Sequence, residues 1–245
     1  MNRLRADQLL VERGLAETRS QARALIMAGL VLSNGQRVEK AGQPLPPEAD
    51  LHLKEDLSPY VSRGGWKLEG ALDDFGLKVE GFRVLDVGAS TGGFTDCLLT
   101  RGAREVVAVD VGYGLMHWRL RQDPRVKLVE RTNARYLTAA QVGQDFDLAV
   151  MDVSFISLEH ILPPAAALVR IEGKVLALVK PQFELGREKV GQGGVIRDPR
   201  LQIEAVDKVA AAAVKLGLRV LGRAPSRLAG PKGNQEYFLL LARPG

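Results

Sequence analysis

Cysteine is almost absent from this chain of 245 residues. A single Cys97 excludes a disulfide framework and a cysteine metal cluster. Histidine is scarce too: His52, His117 and His160 are scattered, which leaves a zinc site little to draw on. No stretch stays apolar for 18 residues, so no segment reads as a membrane span. The start, Met1-Asn2-Arg3-Leu4-Arg5, lacks the apolar run of a secretory signal. Nor is there a long amphipathic helix with a Trp-rich apolar face, which argues against a membrane-active protein and makes the cytoplasm the expected compartment. What is present is an ordinary globular composition, 46% hydrophobic and 26% charged, enough for one sizeable core and a small module. The formal charge of +5 suits a polyanionic partner without identifying one.

The chain divides by pattern into residues 1–53, a linker at 54–60 with charges, Ser58 and Pro59, and a larger block at 61–245. In the first block, Leu4, Leu9 and Leu10 predict a short helix ending at Gly14. Thr18 or Ser20 then caps a second helix carrying Ala22, Leu25 and Ile26, which stops before Gly29. Leu30-Val31-Leu32, the turn Asn34-Gly35 and Arg37-Val38 read as a hairpin. Pro44, Pro46 and Pro47 break the pattern before a strand at Leu51-His52-Leu53.

In the larger block, apolar strands alternate with helical stretches. The strands are expected at Arg83 to Val87, Glu105 to Val109, Val126 to Val129, Asp147 to Met151, Lys174 to Val179, Leu218 to Gly222 and Tyr237 to Leu241, with a helix from Leu201 to Leu216. Continuous Val, Leu and Ala runs suit strands buried on both faces. The expectation is an α/β fold, a doubly wound seven-stranded sheet with a small N-terminal α+β module, whose ligands bind beyond the carboxyl ends of the strands.

The first of these strands runs into Asp86-Val87-Gly88-Ala89-Ser90-Thr91-Gly92-Gly93, and the next ends at Asp110. Glycines let the backbone turn tightly and approach a ligand, and an acid roughly 20 residues on can accept hydrogen bonds from ribose hydroxyls. Nicotinamide enzymes share that much. The loop departs from Gly-x-Gly-x-x-Gly, however, and Asp86 would set negative charge against a pyrophosphate, whereas a cationic sulfonium ligand tolerates it. The pattern favours S-adenosylmethionine, with Asp86, Gly88, Ser90, Gly92 and Asp110 as its candidate site. Asn133, past the third strand, either bonds the adenine edge or only forms a turn.

Asp152 and Lys180 each follow a predicted strand, Glu236 precedes the last one, and Lys67 lies early, in Ser62-Arg63-Gly64-Gly65-Trp66-Lys67-Leu68. A ribose 2′-hydroxyl is a poor nucleophile. Methyl transfer to it needs the oxygen held in line and its proton removed or steered. Two lysines with two carboxylates could do that; they could equally form two structural salt bridges.

These stretches, together with Glu130-Arg131-Thr132-Asn133-Ala134-Arg135, Asp152-Val153-Ser154-Phe155-Ile156-Ser157-Leu158, Val179-Lys180-Pro181-Gln182-Phe183-Glu184 and Gly233-Asn234-Gln235-Glu236-Tyr237-Phe238, resemble the 2′-O-ribose methyltransferases related to FtsJ, most closely the TlyA or haemolysin A family. The resemblance implies that Lys67, Asp152, Lys180 and Glu236 form the family's catalytic tetrad. It further implies S-adenosylmethionine as cofactor, ribosomal RNA or ribosomal subunits as partner, cytidine 2′-hydroxyls as target, and an effect on sensitivity to cyclic peptide antibiotics that bind the ribosome. The shorter forms in the family are expected to favour large-subunit RNA, and this chain resembles them.

Residues 1–53 resemble the alpha-L RNA-binding domain, named after the fourth small-subunit ribosomal protein, through Gly14 to Ile26, Gly29-Leu30-Val31 and Asn34-Gly35. Arg19 and Arg23 share a helical face, and Arg3, Arg5 and Arg13 could join them as an RNA-binding patch. Seven bases against six acids across this block leave a net of only +1, so such a patch requires segregation on one face. Two rival classes stand beside the enzyme: a membrane-active haemolysin, and a non-catalytic RNA-binding ribosome factor.

Overall fold

The computed structural model describes residues 3–16, 18–27, 29–53, 59–230 and 232–245, with Arg187 and Gln192 described in backbone only. The expected linker falls largely outside the described residues. The chain forms two compact units, Met1–Pro59 and Tyr60–Gly245. Tyr60, which its neighbours in sequence place in the linker, is 3% exposed and packs edge-on to Trp66 within the second unit.

The first unit contains β1 (Leu4–Arg5), α1 (Ala6–Glu12), α2 (Arg19–Met27), β2 (Val31–Ser33), β3 (Gln36–Arg37), β4 (Pro44–Leu45) and β5 (Leu51–Leu53). The hairpin forms where Asn34-Gly35 marks it. Both residues have positive φ, 49° and 76°, the mirror-image turn whose twist matches two antiparallel strands. Thr18 caps α2 by accepting from the Gln21 amide (3.2 Å). Two expectations need correction. Leu4 is not helical but pairs with Leu45, and Pro44 joins a two-stranded ribbon instead of only breaking the pattern. Proline is tolerated there because a short edge strand asks little of its missing N–H.

The second unit runs α3 (Arg63–Asp74), β6 (Arg83–Val87), α4 (Gly93–Thr100), β7 (Glu105–Val109), α5 (Trp118–Arg121), β8 (Val126–Val129), α6 (Ala139–Val142), β9 (Phe146–Met151), α7 (Leu162–Leu168), β10 (Val169–Val179), α8 (Pro181–Glu184), α9 (Pro199–Lys215), β11 (Arg219–Pro225) and β12 (Tyr237–Ala242). One seven-stranded sheet has the order β11-β12-β10-β9-β6-β7-β8, parallel except for β12, which runs antiparallel to both its neighbours.

The α/β class and the seven strands are those the alternation predicts. Alternate residues serve opposite faces, as the two-residue period requires. Leu85, Val87, Val107, Met151 and Val179 enter one core, while Val84, Val106, Leu148, Val150 and Leu178 enter the other. Strand β10 is longer than expected. Its register shifts between Val169 and Lys174, where Glu172 takes a positive φ of 61°. Asp198 caps α9 and Pro199 fills its first turn, which explains its sharp start.

Cys97 is fully buried and its thiol is pushed up to about 12 by burial, so it reads as core and not as a nucleophile. No helix among the described residues is long and apolar enough to cross a membrane.

Candidate active site

The chain leaves β6 outward to β7 and β8, then returns to place β9 against the other side of β6. Ligands collect at the carboxyl ends of strands around such a reversal. Here the two loops touch: the Asp152 amide donates to the Val87 carbonyl (3.0 Å). Gly88 has φ of 86°, and a Cβ on it would lie 2.6 Å from the Asp152 carbonyl oxygen. The glycine is therefore required first by its own backbone and by the neighbouring chain, before any ligand arrives.

Past Gly88, the Ser90 amide donates to Asp110 Oδ2 (2.8 Å) and the Gly112 amide to Asp110 Oδ1 (2.7 Å). Asp110 is thereby fixed, with lone pairs left on both oxygens for a ligand. Gly88, Ser90, Asp110 and Asn133 all line a cavity of about 390 Å³ whose other walls include Leu115 and Ile156. Asn133 Oδ1 accepts from the Arg135 amide, so it does form the turn while also lining this cavity.

The remaining two loop residues stand elsewhere. Gly92 opens α4 with φ of 96° and faces Leu120, whose Cδ1 would lie 2.3 Å from an added Cβ. Asp86 is fully buried beneath the loop, and neither residue lines the cavities that hold Asp110 or Lys180. Asp86 Oδ2 accepts from the Thr95 hydroxyl (2.6 Å), and Oδ1 has no partner among the described residues.

Burial pushes the Asp86 carboxyl up to about 7, reinforced by the charges of Asp152 and Asp110 and opposed by the bond from Thr95. A raised acid favours folding in its protonated form. That contribution is complete below about pH 4 and is lost as pH rises through about 7. Between about pH 5 and 8 the melting temperature of wild type should therefore fall more than that of Asp86→Asn. Parallel curves in scanning calorimetry would refute this account of Asp86.

The four ionisable residues come together in two pairs. Lys67 Nζ donates to Glu236 Oε2 (2.5 Å), with side chains only 9% and 1% exposed. Lys180 Nζ lies 2.5 Å from Asp152 Oδ1 and donates to Ser154 Oγ (2.9 Å). Lys67 reaches the site because α3 crosses α4 closely. A Cβ on Gly93 would lie 2.2 Å from Ser62 Oγ and 2.9 Å from the Gly65 nitrogen, so only glycine permits the approach. All four residues line a cavity of about 520 Å³, and a further space of about 380 Å³ bounded by Lys67, Gly88, Asp152 and Lys180 joins it to the glycine loop.

Sequence reasoning missed Ser154, which holds Lys180, and Phe155. The latter has φ of 65° and is 91% exposed, bordering both the 390 Å³ and the 520 Å³ cavities and packing on Phe183 with ring centroids 5.1 Å apart. An aromatic residue held in the left-handed region and turned to solvent is an unfavourable arrangement, of the kind concentrated at functional sites. Nothing in the order of side chains announces that backbone angle. In the loop after Lys180, Lys189 is paired with Glu204 of α9.

In the first unit, Arg5, Arg19 and Arg23 converge on Asp7. Arg13 stands apart from them, with its guanidinium on the Pro47 carbonyl. Three of the arginines named from the sequence thus gather around one carboxylate, and Arg13 is not among them.

The sequence matches the FtsJ-like methyltransferase family over residues 60–243 and the S4 domain over residues 4–51. It is 49% identical to a 16S/23S rRNA (cytidine-2′-O)-methyltransferase, TlyA, of Mycobacterium tuberculosis, covering 98% of this chain and 90% of that one. It is 35% identical to a 23S rRNA (cytidine-2′-O)-methyltransferase of Campylobacter jejuni, covering 93% and 95%. Among solved structures, a candidate hemolysin from Streptococcus thermophilus aligns with a TM-score of 0.76 at 44% identity, covering 100% of this chain and 90% of that one.

Proposed function

This chain belongs to the FtsJ-like methyltransferase family, and on that premise we propose that it uses S-adenosylmethionine to methylate the 2′-hydroxyl of a cytidine in ribosomal RNA. The observation that carries the reading is that two spaces share Asp152, Ser154 and Phe155 as walls: a cavity floored by the glycine loop and Asp110, and a cavity holding two lysine–carboxylate pairs. The relatives named above supply the substrate class.

The residues present fit the cofactor. Asp110 offers carboxylate lone pairs suited to ribose hydroxyls, Leu115 and Ile156 offer an apolar slot for a purine, and the volume lies within the usual range for a small-molecule site. When bound, S-adenosylmethionine supplies an electrophilic methyl group.

The chain's own residues do the rest. Lys180, tethered by Asp152 and Ser154, takes or steers the proton of the 2′-hydroxyl. Lys67, held by Glu236, fixes the ribose oxygen in line. Phe155 presents a ring on which the target base can stack. The S4 module anchors the RNA through phosphate contacts, a role in which charge dominates affinity.

The experiment is mass mapping of ribosomal RNA from cells with and without the gene. One or more cytidines should lose a single 2′-O-methyl group when the gene is absent, and those cells should become less sensitive to cyclic peptide antibiotics that bind the ribosome. Mapping both subunits decides between large-subunit RNA alone and both RNAs. Identical methylation maps would overturn the reading. A membrane-active haemolysin would instead release dye from lipid vesicles and leave the maps unchanged.

A further inference from the structure

Asp7 lies in the first turn of α1 and is fully buried, yet its partners are three arginines each about half exposed: 49% for Arg5, 51% for Arg19 and 54% for Arg23. Arg5 grips it with a two-pronged fork, Nε to Oδ1 (3.0 Å) and Nη2 to Oδ2 (3.1 Å). Arg23 donates from Nε to Oδ2 (3.0 Å), and Arg19 Nη2 sits 3.3 Å from both oxygens. These bonds, that from Arg5 first, hold the carboxyl well below the usual carboxylate range, so Asp7 stays charged at any working pH. Three guanidiniums around one carboxylate leave two net positive charges, and each arginine side chain stays about half exposed. Without the carboxylate the three like charges would repel, and each long side chain would recover its rotamers.

We propose that Asp7 is a positioning residue for RNA binding: its buried carboxylate holds Arg5, Arg19 and Arg23 as one preorganised phosphate clamp on the S4 module. The proposal rests on the ribosomal RNA reading above and adds to it a role for an acid. Simple electrostatics says the reverse, that deleting a negative charge from an RNA-binding face should tighten binding. Preorganisation gives the opposite sign. The side chains must then be ordered at the moment of binding, and in Asp7→Asn an amide N–H would face guanidinium donors.

The test uses the full chain and unmethylated ribosomal subunits. In Asp7→Asn, RNA affinity should fall by about tenfold or more, the scale of immobilising two or three long side chains on binding. The loss should appear in KM for RNA rather than in kcat. The salt dependence of binding should become shallower by roughly one unit for each phosphate that the arginines no longer neutralise. Affinity equal to or tighter than wild type in the folded variant would overturn the proposal.

Should circular dichroism reveal that Asp7→Asn does not fold, Arg23→Lys decides. It keeps the charge at a half-exposed position but removes the planar fork. Several-fold weaker RNA binding supports the clamp, and wild-type affinity refutes it. A wild-type chain that binds no ribosomal subunit would instead sink the functional reading, and the clamp with it.

Discussion

Lys180→Ala should lose methyl transfer to ribosomal RNA by a factor of about 10² or more, the usual scale for removing a group that handles a proton. Lys180 stands just past β10, at the carboxyl edge where the sheet order reverses nearby, and its amine is fixed by Asp152 and Ser154. The residue lines the two spaces that meet over the glycine loop and the paired carboxylates. It does not line the cavity holding Asp110, so cofactor affinity measured by calorimetry should change little.

Lys180→Arg separates two roles. A guanidinium can orient a hydroxyl by donating to it, but it stays protonated and cannot accept the proton. If Lys180 takes the proton, the arginine variant should fail nearly as badly as alanine in single-turnover transfer of labelled methyl. Turnover like wild type would exclude proton removal by this lysine and leave positioning as the role of the tetrad.

Glu236→Gln should act on stability as well as on turnover. The pair it forms with Lys67 is almost entirely buried, and removing one partner strands the other charge in a poor solvent. The expected loss is about 3–5 kcal/mol, which for a unit of this size lowers the melting temperature by roughly 10 °C. The double variant Lys67→Met with Glu236→Leu should recover most of that stability, because apolar replacement of a whole buried pair is often neutral. It should remain inactive in methyl transfer. This combination distinguishes a working pair from a structural salt bridge: an active, stable double variant would assign the pair to stability alone. Thermal denaturation and methyl transfer on the same preparations read both quantities.

Much of the fold was legible in the sequence because periodicity reports burial directly. The runs Arg83 to Val87 and Glu105 to Val109 begin and end in the structure where their apolar pattern does, since successive residues alternate between two cores. The reversed direction of β12 was not legible: Tyr237 to Ala242 is buried in the same way whichever way it runs. Leu4 misled because one leucine near a helical pattern looks like its first turn, while its partner Leu45 lies far along the chain.

At the site, Lys67, Asp152, Lys180 and Glu236 could be named in advance by motif and strand-end position, and the structure brings them together. Ser154 and Phe155 could not be. A hydroxyl that accepts from a lysine and an aromatic forced into positive φ are properties of the folded loop, and side-chain order carries no signal for either. Asp86 and Gly92 belong to the loop motif but do not line the cavity, because Asp86 lies within β6 and is fully buried and Gly92 opens α4 against Leu120. Charge counting over the first block likewise hid the convergence of Arg5, Arg19 and Arg23, since the acid that offsets them is the one they surround.

The most direct test of the central claim is nucleoside analysis after reaction in vitro. Purified protein is incubated with unmethylated ribosomal subunits and S-adenosylmethionine carrying a labelled methyl group, and the RNA is digested to nucleosides and resolved by mass. Label should appear in 2′-O-methylcytidine and be absent with Lys180→Ala. Label on a base carbon or nitrogen, or label on ribosomal protein with none on ribose, would contradict it.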